Sequence, residues 1–162
     1  MVEIGSPKHH FLLQRVQPAM VGLIDGSLST LAPIFAVALV SHKPFYAFIG
    51  GLATSIGAGI SMAFSEGLSD TGELTGRGNP LVRGGITGIG TFIGGILHSL
   101  PFLIPSYHAA IVTALIVVAF ELVALAVLRA RFFSTSFVTS LAAVSLAGAV
   151  IVAVSATLGA TA

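Results

Sequence analysis

The sequence contains no cysteine, which excludes disulfides, thiolate metal sites and a cysteine nucleophile. Charge is scarce as well. Asp, Glu, Lys and Arg make up 8% of the 162 residues, against about a quarter in an ordinary soluble domain, while 55% are hydrophobic. Seven basic residues nearly cancel six acidic ones, so no excess of charge points to a nucleic-acid partner. The first fifteen residues lack the apolar stretch and small-residue cleavage site of a signal peptide, and insertion is expected to rest on the helices themselves. No internal repeat, no Ser-His-acid spacing and no dense histidine cluster stands out, so an enzyme is not expected and neither a catalytic residue nor a cofactor is assigned.

What remains is an all-α, multi-pass membrane protein. Five apolar segments at about 18–41, 45–68, 82–105, 107–128 and 136–159 each approach the roughly 20 residues that span a bilayer core. Residues 1–17 form a polar, basic segment expected to lie as a short interfacial helix, with Pro18 in the first turn of the next helix. Residues 18–162 form one transporter-sized bundle. Lys8, Arg15, Arg77, Arg83, Arg129 and Arg131 fall on one side of these spans and Lys43 on the other. The positive-inside rule then places the N-terminus in the cytoplasm and the C-terminus outside. The adjacent His9 and His10 read as a solvated tail; a metal-ligand role is the alternative.

Three carboxylates, Asp25, Glu66 and Glu121, sit inside apolar runs, with Met62 on the same span as Glu66. A carboxylate in hydrocarbon is costly unless partnered, so each is a functional candidate. Asp25 lies in the first span and Met62 in the second, both about 10 Å from the cytoplasmic surface by helical rise. Glu121 of the fourth span comes to about 12 Å by the same count. Glu66 is one turn from Met62 on the same helix face. A thioether beside carboxylates suits a borderline divalent ion such as Fe²⁺, Mn²⁺, Co²⁺ or Zn²⁺ better than Mg²⁺. If the second helix continued past the membrane, Asp70 and Glu73 would prolong the Glu66 face into an acidic funnel for cations; the alternative is that these loop acids neutralise Arg77 and Arg83. Pro33 is expected to kink the first span and free the Ser29 carbonyl. Glu121 reads either as part of the polar pathway or as an ion pair with Arg129. The third span carries two G-x-x-x-G spacings, Gly84 to Gly88 and Gly90 to Gly94, which permit close helix contact. His98, about 21 Å from the cytoplasmic side by rise, reads as an exit or proton-relay residue or as a histidine bonded to a neighbouring helix.

The stretches Asp25-Gly-Ser-Leu-Ser-Thr-Leu-Ala-Pro33, Gly57-Ala-Gly-Ile-Ser-Met62-Ala-Phe-Ser-Glu66 and Gly76-Arg-Gly-Asn-Pro80 resemble the vacuolar iron transporter family. Val16-Gln-Pro-Ala-Met20 and His98-Ser-Leu-Pro-Phe-Leu-Ile104 resemble, more particularly, the membrane domain of bacterial membrane-bound ferritin-type iron exporters. The resemblance implies a five-span homodimer in a bacterial inner membrane that moves ferrous iron out of the cytoplasm in exchange for protons. Asp25 and Met62 would line the path between subunits. Two departures stand out. Residues 69–81 are too short for the glutamate-rich insert of the plant-type transporters, and residues 1–17 do not hold a ferritin-like domain, so a separate ferritin-like iron donor is the implied partner. The rival from another class is a non-transporting scaffold whose buried acids specify helix pairing and dimerisation.

Overall fold

A computed structural model of the chain describes residues 5–160; residues 1–4 and 161–162 of the expected terminal segments lie outside it. Among the described residues, five helical stretches are long and apolar enough to cross a membrane: Pro7–Ser41, Pro44–Ser69, Pro80–Leu97, Tyr107–Phe133 and Phe137–Ser155. The protein is a multi-pass membrane protein with an all-helical fold.

The first stretch is a broken rod rather than a surface helix followed by a span. Helix α1 (Pro7–Phe11) passes through a π-helical turn, Leu12–Val16, into α2 (Gln17–Ser29). The Gln17 amide bonds the Leu12 carbonyl, five residues back. Pro18 explains this register: it has no N–H for the Gln14 carbonyl, and the wider turn makes room for its ring. The expected boundary at residue 17 is therefore helically continuous. Helix α3 (Leu31–Ser41) follows after a single residue, Thr30. The helical pattern is interrupted at Thr30, in the turn before Pro33, which itself occupies the first turn of α3.

Helix α4 (Pro44–Ser69) and α5 (Pro80–Leu97) form the second and third spans. Asn79 caps α5, its Oδ1 accepting from the Leu81 amide at 2.9 Å and the Val82 amide at 3.2 Å. The third span was expected to run to 105; instead α5 stops at Leu97, and the chain continues through a 3₁₀ turn, Leu100–Leu103. Pro101 is the reason, because it cannot donate to the Leu97 carbonyl. Helix α6 (Tyr107–Phe133) outlasts its expected end at 128, and α7 (Phe137–Ala160) completes the chain.

Helix α5 is sandwiched between α2 and α4, with which it makes the most extensive helix contacts among the described residues. The two G-x-x-x-G spacings serve different neighbours. A Cβ on Gly88 would lie 2.6 Å from the Gly59 carbonyl oxygen of α4, and one on Gly94 would lie 2.6 Å from the Leu23 carbonyl oxygen of α2. Both spacings therefore serve contacts within the chain. Gly88→Ala should destabilise by about 1–3 kcal/mol, the usual cost of overpacking. The neighbouring Gly85 faces open space, and Gly85→Ala should stabilise the helix by about 0.5–1 kcal/mol. Thermal melting of the two variants in detergent checks the contrast, and equal shifts would contradict it.

The other half of the bundle is assembled by α3 against α4 and α7 and by α6 against α7. Its core gathers Leu31, Ile34, Phe35, Ala38, Ala47, Phe102, Ala110 and Ala114. Helices α5 and α6, although consecutive, barely meet.

Candidate functional site

Three polar arrangements occupy the spans and their loop end, and the sequence-derived candidates divide among them. The first is Asp25, half-buried in the middle of α2. It makes no hydrogen bond or ion pair with any of the described residues. Gly22 and Gly26 on either side of it press against the Thr87 and Thr91 backbone of α5, so the helix that carries Asp25 is held rigidly against the centre of the fold. Met62 of α4 is also half-buried. Its neighbours on the helix face, Ser55 and Gly59, are small and buried, and they admit the α5 backbone.

The second arrangement is an ion-pair cluster. Helix α4 ends at Ser69, and Asp70 turns into extended backbone, so the acidic stripe that a longer helix would make does not form and, for Asp70, the alternative of a loop acid neutralising Arg77 and Arg83 holds. Glu66 and Asp70 instead meet Arg77 and Arg83. Glu66 Oε1 accepts from Arg77 Nη2 at 2.6 Å and from Arg83 Nε at 2.9 Å. Asp70 Oδ2 lies 3.2 Å from Arg77 Nη1 and 3.4 Å from Arg83 Nη2. Asp70 also accepts from Thr75 Oγ1 at 3.1 Å and from the Gly72 amide. Desolvation pushes its carboxyl up, but the Thr75 and Gly72 hydrogen bonds and the two guanidinium groups outweigh it and hold the group below the usual range. Gln14 Nε2 ties the loop to the first helix through the Gly76 carbonyl, at 3.1 Å. Glu73 stays exposed.

The third arrangement joins the two helix breaks. Thr30, at the break of the first span, has its hydroxyl 2.7 Å from His98 Nε2. His98, at the end of α5, has Nδ1 3.0 Å from Glu121 Oε2 on α6. His98 is fully buried and Glu121 is 7% exposed. The alternative in which Glu121 pairs with Arg129 does not form; its partner is His98. Helix geometry also separates Glu121 from Asp25. Leu23 and Ser27 share a cleft with Glu121, and Asp25, two residues from each, points roughly 160° away from them around α2.

The chain does not gather these residues into one metal centre: no group of three or more His, Asp or Glu with metal-binding geometry occurs among the described residues. Sequence reasoning missed Thr30 as a participant. Its signal was present, since a hydroxyl three residues before Pro33 sits where the helix must break. At the opposite end of the bundle, His42 stacks on Tyr107 with centroids 5.0 Å apart, and His108 packs edge-on against the same ring at 5.5 Å, which fits an interfacial position for both histidines. No family model, curated protein or solved structure matches this chain.

Proposed function

We propose that the protein is a transporter that carries ferrous iron, and with it Mn²⁺, Co²⁺ and Zn²⁺, out of the cytoplasm in exchange for protons, as a homodimer in a bacterial inner membrane. The observation that carries this reading is Asp25, a carboxylate within a span that has no partner among the described residues of its own chain. Such a group calls for a proton, a cation or a second subunit to offset its desolvation. A carboxylate that accepts either a proton or a metal is the simplest element of an antiporter, because release of one favours uptake of the other.

In this reading Asp25 and Met62 form the transit site, and a second copy completes the ligand set. Glu73 and Asp70 draw cations toward it. Glu66 serves as the inner step only when Arg77, the more exposed of its two guanidinium partners, is displaced. Glu121 and His98 stand apart from the metal, bonded to each other at 3.0 Å. The iron reaches the membrane from a separate ferritin-like donor.

A specific observation favours the rival scaffold for part of this set: Glu66, Asp70 and Glu121 all have partners within the chain. Asp25 does not. Anaerobic Fe²⁺ flux into proteoliposomes under an imposed pH gradient tests transport. The expected result is flux that collapses when a protonophore dissipates the gradient. Absence of flux for all four metals would refute the transporter and leave the scaffold.

A further inference from the structure

The break in the first span leaves one carbonyl dependent on a side chain. The Thr30 N–H, which would continue the helical ladder to Gly26, turns to the Leu28 carbonyl instead. The Gly26 carbonyl accepts from the Thr30 hydroxyl at 2.8 Å in its place. That same hydroxyl lies 2.7 Å from His98 Nε2. A hydroxyl has a single hydrogen to donate, and two partners stand within its reach.

Which of them receives that hydrogen depends on His98 and Glu121. Their Nδ1 and Oε2 atoms are 3.0 Å apart, so a hydrogen lies between them, because two bare lone pairs would repel at that distance. When Nε2 carries a hydrogen as well, the ring donates to Thr30 and Thr30 donates to Gly26. The pair is then neutral overall, and every one of these groups is satisfied. When the Nε2 hydrogen is gone, the bare nitrogen draws the Thr30 hydrogen to itself and away from Gly26. The pair then bears one negative charge, and Glu121 Oε1 has no partner among the described residues to offset it. No other acid or base complicates the count. Helix α4 meets this end of α5 through Gly51 and Ser55, neither α3 nor α7 contains a charged residue or a histidine, and Asp25 points away around α2.

We propose that Thr30 is a proton-controlled switch on the helix that carries Asp25, its hydroxyl holding the Gly26 carbonyl while His98 Nε2 is protonated and releasing it when that proton leaves. The switch rests on the reading of Asp25 as the transit site. Gly26 follows Asp25 directly, so losing this bond loosens the last turn of α2 beside the metal. Thr30 and His98 have no exposed surface, so the pair exchanges its proton only while the break is open. Proton release and movement of the α2 end thereby become one event, and a two-state element biased from both sites is what coupling requires. Thr30 acts here as a positioning residue, and touches no metal.

The test uses the full chain in lipid bilayers, with isotope-labelled histidine rings and glycine carbonyls read by solid-state NMR. The His98 signal is identified by its loss in His98→Gln. As pH rises, His98 Nε2 should lose its hydrogen, and the Gly26 carbonyl shift should move in the same step. In Thr30→Val, which keeps the shape without the hydroxyl, the ring should still titrate while the Gly26 carbonyl no longer follows; Thr30→Ser should restore the response. A ring that keeps its Nε2 hydrogen throughout, a wild-type Gly26 carbonyl that ignores the ring, or one that still follows in Thr30→Val would each overturn the switch. None of these signals requires transport: a coupled step in a protein without metal flux would sink the transporter and leave the switch standing. In proteoliposomes that do carry Fe²⁺, Thr30→Val should reduce the acceleration of flux by a pH gradient about tenfold and Thr30→Ser should not. An unchanged response in Thr30→Val would overturn the link to the metal site.

Discussion

Asp25→Asn should abolish metal flux while leaving the fold and the oligomeric state intact. Asp25 has no hydrogen-bonded or ionic partner among the described residues, so the substitution removes no native interaction within the chain. It also removes the cost of holding a charge in hydrocarbon, and the variant should melt at the same temperature as the wild type or higher. Transport responds in the opposite sense. Loss of a supporting residue around a metal commonly costs 10–100-fold, so loss of an anionic ligand should reduce flux by at least about 100-fold. The scaffold reading predicts the reverse pattern: an acid that pairs across two copies would, once neutralised, weaken the dimer and lower the melting temperature. Flux in proteoliposomes, read beside light-scattering mass and thermal melting of the same preparations, separates the two. Undiminished flux in a folded Asp25→Asn protein would remove Asp25 from the pathway.

Most of the architecture was legible because hydrophobic length reports spans directly. Pro44, Asn79-Pro80 and Ser106 mark helix starts that composition alone can locate. The end of α5 was not legible in the same way. The run from Leu97 to Ile104 remains apolar, and only Pro101 signals that its backbone leaves the helix. Rise counting misled as well. It placed Glu121 and His98 about 9 Å apart in depth, yet their side chains bond at 3.0 Å. The count compared backbone heights along upright spans, and the observed helix ends at Pro80 and Phe133 leave that difference unchanged; the two long side chains reach across part of it. The glycines of α5 were readable as contact points but not as contacts with particular helices, because that depends on which face each neighbour takes. Glu66 was placed on the Met62 face by periodicity alone. Its pairing with Arg77 and Arg83 depended on the turn at Asp70, where a continuing helix and a loop were both open readings.

Arg83→Ala should destabilise the protein by about 3–5 kcal/mol, the usual result of leaving a buried ion-pair partner uncompensated. Arg83 is fully buried, and its hydrogens are spread over both side chains and backbone. Nη2 donates to the Glu66 carbonyl at 3.3 Å and the Asp70 carbonyl at 3.2 Å, and Nη1 donates to the Gly78 carbonyl at 3.3 Å. The first two are carbonyls at and just past the end of α4, where no further helical turn follows; the Glu66 carbonyl also accepts from Ser69 Oγ at 2.8 Å. The guanidinium therefore closes the helix, fixes the loop and neutralises Glu66 at once. Arg83→Lys should rescue little, because a single ammonium cannot span acceptors on several sides. Arg77 is 21% exposed, and solvent screening should limit Arg77→Ala to about 1 kcal/mol. Acid reaches the same cluster by protonating Asp70. Its folded pKa is depressed, so its contribution is complete above the ordinary Asp value of about 3.9 and is lost as pH falls through the lowered value. In Arg83→Ala one of the groups that depress it is gone, and the acid-induced loss should be smaller and lie nearer that ordinary value. Hydrogen exchange at the end of α4 and across residues 70–79, measured over this pH range, reports the cluster locally. Matching exchange in the Arg83 and Arg77 variants would show that burial of Arg83 gives it no special weight, and the account of the loop end would have to be rebuilt on Arg77.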